Sequence, residues 1–392
     1  MRQHVADRVQ GFTESVIREM TRLCNQHGGI NLAQGFPDFP APAALKQAAC
    51  DAIQADVNQY AVTWGAPNLR AAIAHKAQAF NRIPDVDPDR HVTVTCGATE
   101  AMMAVMLSVV NPGDEVIVFE PFYENYGPDA ILSQATLRFV PLEGPTFAID
   151  PEKLRAAFSP RTRAIVINTP HNPTGKVFGP VELGLIADLC QEFDALAITD
   201  EIYEHMVYEG EHVSIASLPG MAERTVTISG LSKTFAVTGW RLGYAIAPEP
   251  LTHAIRKAHD FLTVGAPAPL QQAAVTALQF GPDYYRELVE SYRAKRALMH
   301  EVLTAAGLNP ILPQGAYYMM ADIRPFGMKD VEFVRFMIER IGVAAVPGTS
   351  FFADKAAGEG LIRFAFPKKP ETLLAARDRL LRLAIELPTV KG

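Results

Sequence analysis

Residues 225–247 read TVTISGLSKTFAVTGWRLGYAIA: two strand-like runs, 225–229 and 242–247, around a segment that holds Lys233 and Arg241. Only this short segment joins the runs, whereas a parallel crossover needs about a dozen residues and usually a helix. The second run is therefore expected to lie antiparallel to the first, at or near a sheet edge. Lys233 sits among small and apolar neighbours, eight positions before Arg241. Burial and a nearby cation lower a lysine's pKa, and an uncharged amine can form a Schiff base with a carbonyl. A solvated surface lysine is the ordinary alternative.

Upstream, β-rich runs at 92–95, 115–119, 136–140, 164–168 and 196–199 alternate with helical segments at 98–110, 151–158 and 180–193. Asp150-Pro151 and Gly179-Pro180 open two of these helices with a cap-like residue followed by proline. Such alternation predicts an α/β fold with a mainly parallel sheet covered on both faces. Downstream, a long helix at 283–307 precedes strands at 316–320, 343–346 and 361–366, with helices at 331–341 and 371–385. This second, smaller unit is α/β as well. No internal repeat or flexible linker is evident.

The chain has 392 residues, 48% hydrophobic and 20% charged, with net charge -7. That is enough for a large core and more than one small domain. The acidic balance and the lack of a Lys/Arg run argue against nucleic acid or an anionic membrane as partner. The four cysteines, Cys24, Cys50, Cys96 and Cys190, form no CxxC pair, so neither a metal site nor a disulfide framework is expected. The charged start of the chain lacks the apolar core of a secretory signal, and no stretch reaches the roughly 20 apolar residues of a membrane span. A soluble protein of a reducing compartment, the cytoplasm, is expected.

Open α/β sheets bind ligands beyond the carboxyl ends of their strands. Several polar residues fall at such ends. Gly97-Ala98-Thr99 opens a helix whose free N–H groups would face an anion; a plain N-cap is the alternative. Tyr123 follows the second strand and brings an aromatic ring to that edge. The loop NTPHNPTG (168–175) is tightly shaped by its prolines, yet a turn does not require the amide of Asn172. Asp200 ends an apolar strand, where a buried carboxylate needs a cationic partner unless it merely caps a helix; Tyr203 follows three residues on. One reactant would use all of these, a phosphorylated pyridine aldehyde. Its phosphate suits Gly97–Thr99 and Arg241, its ring Tyr123, its ring nitrogen Asp200, its hydroxyl Asn172 and Tyr203, and its aldehyde Lys233. That is the pattern of pyridoxal 5'-phosphate (PLP) sites.

The motifs NLAQGFPDFPAP, VNQY, TCGATEA, EPFYENY, NTPHNPTGKVF, ITDEIYEHMVY, SKTFAVTGWRLGY and LIRFAF span nearly the whole chain. By them it resembles the fold-type I PLP aminotransferases of class I/II. It is most similar to kynurenine aminotransferase / glutamine transaminase K and to bacterial methionine aminotransferases. The resemblance implies a large PLP-binding domain (45–285) with a mostly parallel seven-stranded sheet holding one antiparallel strand. It also implies a small domain built from both chain ends (1–44 and 286–392), and a homodimer with active sites at the interface. Lys233 would be the Schiff-base lysine and Asp200 the ring-nitrogen partner; Asn172 and Tyr203 would bond the ring hydroxyl, and Tyr123 would stack on the ring. Ala98, Thr99, Ser232 and Arg241 would hold the phosphate, with Tyr60 from the neighbouring subunit. Arg363, with Gly35 and Asn172, would bind the substrate α-carboxylate.

Read from its strand alone, Arg363 shares a face with Leu361 and Ala365 and fits an exposed surface; beside a ligand, its guanidinium fits a carboxylate. The activity implied is ping-pong transfer of the amino group of a neutral L-amino acid (glutamine, methionine, kynurenine or aromatic type) to a 2-oxo acid. Lys233 would move a proton between the substrate α-carbon and the cofactor. N-succinyldiaminopimelate transamination and cysteine-conjugate β-elimination are alternatives on the same scaffold. A PLP-binding regulator is disfavoured by the absence of a basic DNA-binding module. Relatives that favour aromatic substrates carry an aromatic residue in the segment matching 262–266, where this chain has LTVGA; kynurenine is therefore a poorer expectation than glutamine or methionine.

Overall fold

The computed structural model describes residues 4–12 and 14–387. The outer ends of the small-unit expectation, residues 1–3 and 388–392, lie outside the described residues, as does residue 13. Among the described residues, fourteen strands form three sheets. β1 (Ile30–Asn31) pairs in parallel with β12 (Val343–Ala344), which ties the start of the chain to its last quarter.

The large sheet contains β2 (Val92–Thr95), β3 (Glu115–Glu120), β4 (Thr136–Glu143), β5 (Ala148–Ile149), β6 (Thr162–Asn168), β7 (Leu196–Asp200), β8 (Thr225–Gly230) and β9 (Gly243–Ile246). Its order is β2-β9-β8-β7-β6-β3-β4-β5. The expected seven strands are joined by the two-residue β5, which pairs antiparallel to the end of β4. β9 runs antiparallel to both β2 and β8, one place in from the edge, as the short joint around Lys233 implied. β2, β8 and β9 are buried along their whole length. That is why they read as continuous apolar and β-branched runs with little alternation.

Register decides what meets at the carboxyl edge. Asn168 of β6 pairs with Asp200 of β7. Because β9 is reversed, its first residue, Gly243, lies between the last residues of its neighbours, Thr95 of β2 and Gly230 of β8. The Gly97 turn and the Lys233–Arg241 segment therefore leave the sheet side by side. A side chain at Gly243 would collide with the backbone of Gly97 and Ala98, so this close approach requires glycine.

The small sheet has β10 (Asn309–Ile311), β11 (Tyr318–Asp322), β13 (Val346–Pro347) and β14 (Leu361–Ala365) in the order β10-β11-β14-β13, all antiparallel. The predicted strand 343–346 divides at Ala345 between two sheets. The predicted helix 331–341 is α-helical over Asp330–Phe336 and widens into a π turn over Met337–Ile341. The predicted helix 371–385 breaks after Leu380. Helices at Val16–Gln26, Ala43–Gln54, Pro67–Ala79, Tyr126–Ser133, Glu249–Leu262 and Ala268–Leu278 carried no sequence expectation.

Beyond β7 the chain does not continue as a helix; residues 202–205 form a turn. They are held by a buried polar network. Lys76 pairs with Glu204 at 2.5 Å, and Asn81 Nδ2 donates to Glu201 at 3.1 Å and to Glu204 at 2.7 Å. Thr199, Ser214 and His212 complete Glu201, and Ser229 completes Glu204. Every carboxylate oxygen in this group has a partner, which is what permits the charges to be buried.

Candidate active site

At the carboxyl edge of the large sheet a cavity of about 170 Å³ is lined by Ala98, Thr99, Tyr123, Asn172, Asp200, Tyr203, Ser232, Lys233 and Arg241. These are nine of the residues singled out from the sequence, gathered from five separate strand ends. Gly97 sits immediately behind: its φ of 85° is in the left-handed region, and a Cβ there would run into the Arg241 guanidinium. No side chain caps the helix Ala98–Val109. Gly97 is the N-cap residue but has no side chain to bond the first N–H groups of the helix, which are left for an anion. Arg241, itself held in the left-handed region at φ 55°, is anchored to the Thr238 carbonyl at 3.1 Å and leans toward the Cys96 carbonyl at 3.5 Å. The helix end and the guanidinium thus make one anion cradle.

Asp200 is 9% exposed and forms no ion pair among the described residues. Tyr126 Oη donates to its Oδ2 at 3.0 Å, and the Ile202 N–H approaches its Oδ1 at 3.4 Å. Burial pushes its carboxyl up to about 6 against the pull of those two donors. The helix-cap alternative is overturned, because no helix follows. The cationic partner that a buried carboxylate requires is thus left to a ligand.

Lys233 is half-buried, with Nζ donating to the Gly35 carbonyl at 3.2 Å. Burial first, then Arg241, lowers its amine to about 8, against an opposing effect from Asp200. A solvated surface lysine is not what the chain builds here.

Arg363 corrects the reading of its strand taken alone. It is 1% exposed, because β14 is a central strand flanked by β11 and β13 and covered on both faces. Nη1 donates to Asn172 Oδ1 at 2.7 Å and Nη2 to the Ala33 carbonyl at 2.9 Å, while Nε is buried without a partner. Its guanidinium carbon lies 4.3 Å from the centroid of Tyr318, whose hydroxyl is 2.8 Å from that of Tyr203. Gly35 is fixed beside this group by Tyr317 Oη, which donates to its carbonyl at 2.8 Å. A Cβ on Gly35 would strike Tyr318. Tyr60 is not part of this gathering and is 89% exposed.

Sequence reasoning missed Tyr126, Asp129, Asn168 as a positioning group, Thr238 and Tyr318. Asn168 donates to the Asp200 carbonyl at 2.8 Å and accepts from the Asn172 N–H at 2.7 Å, so it links the two strand ends. Tyr126, three positions beyond Tyr123 in EPFYENY, was the one signal available in the sequence.

An uncapped helix end beside an arginine, an unpaired buried carboxylate and an amine of lowered pKa fit the three poles of PLP: phosphate, ring nitrogen and aldehyde. Fold and site together define a PLP-dependent aminotransferase of fold type I. The chain belongs to the aminotransferase class I and II family, whose family model matches residues 27–380. It is 42% identical to a probable N-succinyldiaminopimelate aminotransferase of Mycobacterium tuberculosis, over 96% of this chain and 98% of that one. The solved structure of the M. tuberculosis N-succinyldiaminopimelate aminotransferase superimposes with a TM-score of 0.94 at 41% identity, covering 97% of this chain and 100% of that one. The methionine aminotransferase of Escherichia coli is 37% identical, with 94% and 96% of the two chains covered. Human kynurenine–oxoglutarate transaminase 1 is 36% identical, over 98% and 100%. The protein is thus an enzyme, a transaminase, and its family uses PLP.

Proposed function

We propose that this enzyme transfers the amino group of a neutral L-amino acid, of the glutamine or methionine type, to a 2-oxo acid. The observation that carries the reading is the buried Arg363, oriented by Asn172 and Ala33 with Nε unpartnered. A planar guanidinium so held binds the α-carboxylate common to all amino acids by paired hydrogen bonds. With Arg363 given to that group, Arg241 to the phosphate and Lys233 to the aldehyde, the described residues lining the cavity supply no further cation for a second carboxylate. Phe36 and Val264, partly exposed in the QGFPDFP and LTVGA segments, do not line the cavity of the single chain but would suit an apolar or amide side chain brought against them.

PLP, when bound, supplies an electron sink for the charge left on the substrate α-carbon. The chain does the rest. Lys233 is the residue that would hold the cofactor's aldehyde end, and its amine would take the proton from the substrate α-carbon as general base and return it as general acid. Asp200 would keep the ring nitrogen protonated, Asn172 and Tyr203 would bond the ring hydroxyl, and Tyr123 would cover the ring. Gly97, Ala98, Thr99, Ser232 and Arg241 hold the phosphate. Gly35 and Asn172 assist Arg363.

The functional unit is proposed to be a homodimer in which Tyr60 reaches the neighbour's phosphate. Tyr60 is 89% exposed and Phe261 94%, large groups whose burial against a second copy would be favourable. We also propose a division into a PLP-binding domain at 45–285 and a small domain from 1–44 and 286–392; the β1–β12 pairing supports it. A cytoplasmic location accords with four free cysteines.

N-succinyldiaminopimelate transamination is the second reading, favoured by the 42% identical relative. Comparing kcat/KM for glutamine, methionine, kynurenine, aspartate and N-succinyldiaminopimelate decides between them. Glutamine or methionine is expected to lead, with a broad neutral range, since apolar pockets discriminate by only roughly 10–200-fold per methylene. Preference for aspartate or the succinylated substrate by more than about 100-fold contradicts the proposal. Pyruvate and ammonia formed from a cysteine conjugate without a keto-acid acceptor would reveal β-elimination instead.

A further inference from the structure

Asp129 lies in the first turn of the helix Tyr126–Ser133 and lines the cavity, yet no role above uses it. It is 4% exposed, and its Oδ2 is buried with no hydrogen-bond partner among the described residues. Buried polar groups are normally bonded, so an unsatisfied oxygen there requires a physical reason. Protonation is one: an uncharged acid avoids the desolvation cost of an unpaired buried carboxylate.

The other carboxyl of the cavity differs in the respect that decides where a proton resides. Asp200 accepts from Tyr126 Oη and the Ile202 N–H, and both bonds favour its ionised form. The Asp129 side chain has neither. Burial first, then the charge of Asp200, pushes Asp129 up to about 7. The helix dipole favours charge at this position, but weakly beside full desolvation. The groups around the pair do not change this. Tyr123 and Tyr126 have their pKa values raised by burial, Lys233 acts on Asp200, and Glu201 is committed to its own network. The helix Ala98–Val109 contributes only Glu100, bonded to His259; Arg138 of β4 pairs with Glu115; Asp7 and Arg8 of the adjoining turn are exposed.

We propose that Asp129 is a positioning residue of the cofactor site: it carries a proton while Asp200 is the cavity's one carboxylate, and releases that proton when a cationic ring nitrogen seats against Asp200. The proton leaves to solvent and no other bond changes. A second carboxylate behind Asp200 then strengthens the hold on the ring nitrogen's proton. The release step rests on the PLP reading of the site; the protonation of Asp129 does not.

The test is infrared spectroscopy of the full chain, cofactor-free and PLP-loaded, with thermal unfolding alongside. Without cofactor, the protonated-carboxyl absorption should show a component that titrates near pH 7 and is lost in Asp129→Asn, while the component of Asp200, near pH 6, remains. PLP should move the Asp129 titration to lower pH. For unfolding the sign follows from the raised pKa. As pH rises from the unfolded value of 3.8 toward about 7, the unfolded chain loses the Asp129 proton first, so the native state loses stability. Asp129→Asn removes that loss: at pH 8 it should unfold at least about 2 °C above the wild type, and at pH 4 it should show no such gain. A band unchanged in the variant, or parallel unfolding profiles, overturns the proposal. If Asp129→Asn does not fold, the wild-type band and its response to PLP still decide. A band that titrates as expected in a chain that takes up no PLP would sink the functional reading while leaving the protonation of Asp129 intact.

Discussion

At Lys233 two influences compete. Burial and Arg241 favour the neutral amine, and Asp200 favours the charged one, with about 8 as the outcome. The neutral fraction therefore grows as pH rises through about 8, and covalent uptake of PLP by the cofactor-free protein should accelerate over the same range. Arg241→Met removes the cation that helps depress the amine, so at saturating PLP the rise should move to higher pH. An unshifted profile would mean burial acts alone. At Arg363 the charge is less decisive than the fork. Arg363→Lys keeps the charge but loses a hydrogen bond to an ionised group, about 1.5–3 kcal/mol. A drop of roughly 10–100-fold in kcat/KM is expected for every amino acid, with kcat falling too because Cα–H is no longer aligned with Lys233. Should only one substrate class suffer, Arg363 reads a side chain instead.

Among the elements, the reversed strand β9 is what lets two distant segments share one site. It brings the Gly97 turn against the start of the Lys233–Arg241 segment's return. Gly97→Ala puts a Cβ into Arg241 and strains a φ of 85°; PLP should bind at least about 10-fold more weakly, given strain of order 1–3 kcal/mol. Direct titration of the cofactor-free variant checks this. Beneath β7, Lys76→Met leaves Glu204 charged, buried and unpaired. A loss of about 3–5 kcal/mol in unfolding free energy is expected, read from denaturant midpoints.

The parallel strands β3, β6, β7 and β8 were legible because they are almost wholly buried, which writes an apolar run into the sequence. β4, toward the edge, is largely exposed or half-buried and shows no such run. The antiparallel β9 was legible from the shortness of its joint. Helices such as Pro67–Ala79 and Tyr126–Ser133 were not. The first interleaves buried Arg70 and Lys76 with its apolar positions, and the second is short and holds Gly127-Pro128. Nine of the residues that line the cavity were legible, most because strand-end polar groups have few structural uses and Ser232 through the family resemblance. Burial of Arg363 was not, since alternation along a strand assigns faces without saying what covers them. Asp129 was hidden for a related reason: nothing local distinguishes an acid in a first helical turn that faces solvent from one that faces a cavity.

For the whole molecule, the account makes one cavity between sheet edge, helix end and small-sheet strand the seat of transamination, with PLP as its occupant. A ligand bound only by the folded state stabilises it by mass action, so PLP should raise the unfolding temperature in a concentration-dependent way. Tyr60→Phe should weaken PLP binding although Tyr60 lies outside its own chain's cavity; unchanged affinity would remove the neighbour's phosphate contact from the account. The central claim, that Lys233 is the residue that carries the cofactor, is tested most directly by borohydride reduction of the PLP-loaded protein followed by peptide mapping. The account predicts a single phosphopyridoxyl label on Lys233, lost in Lys233→Ala even though that variant still binds PLP non-covalently. A label on any other lysine would contradict it.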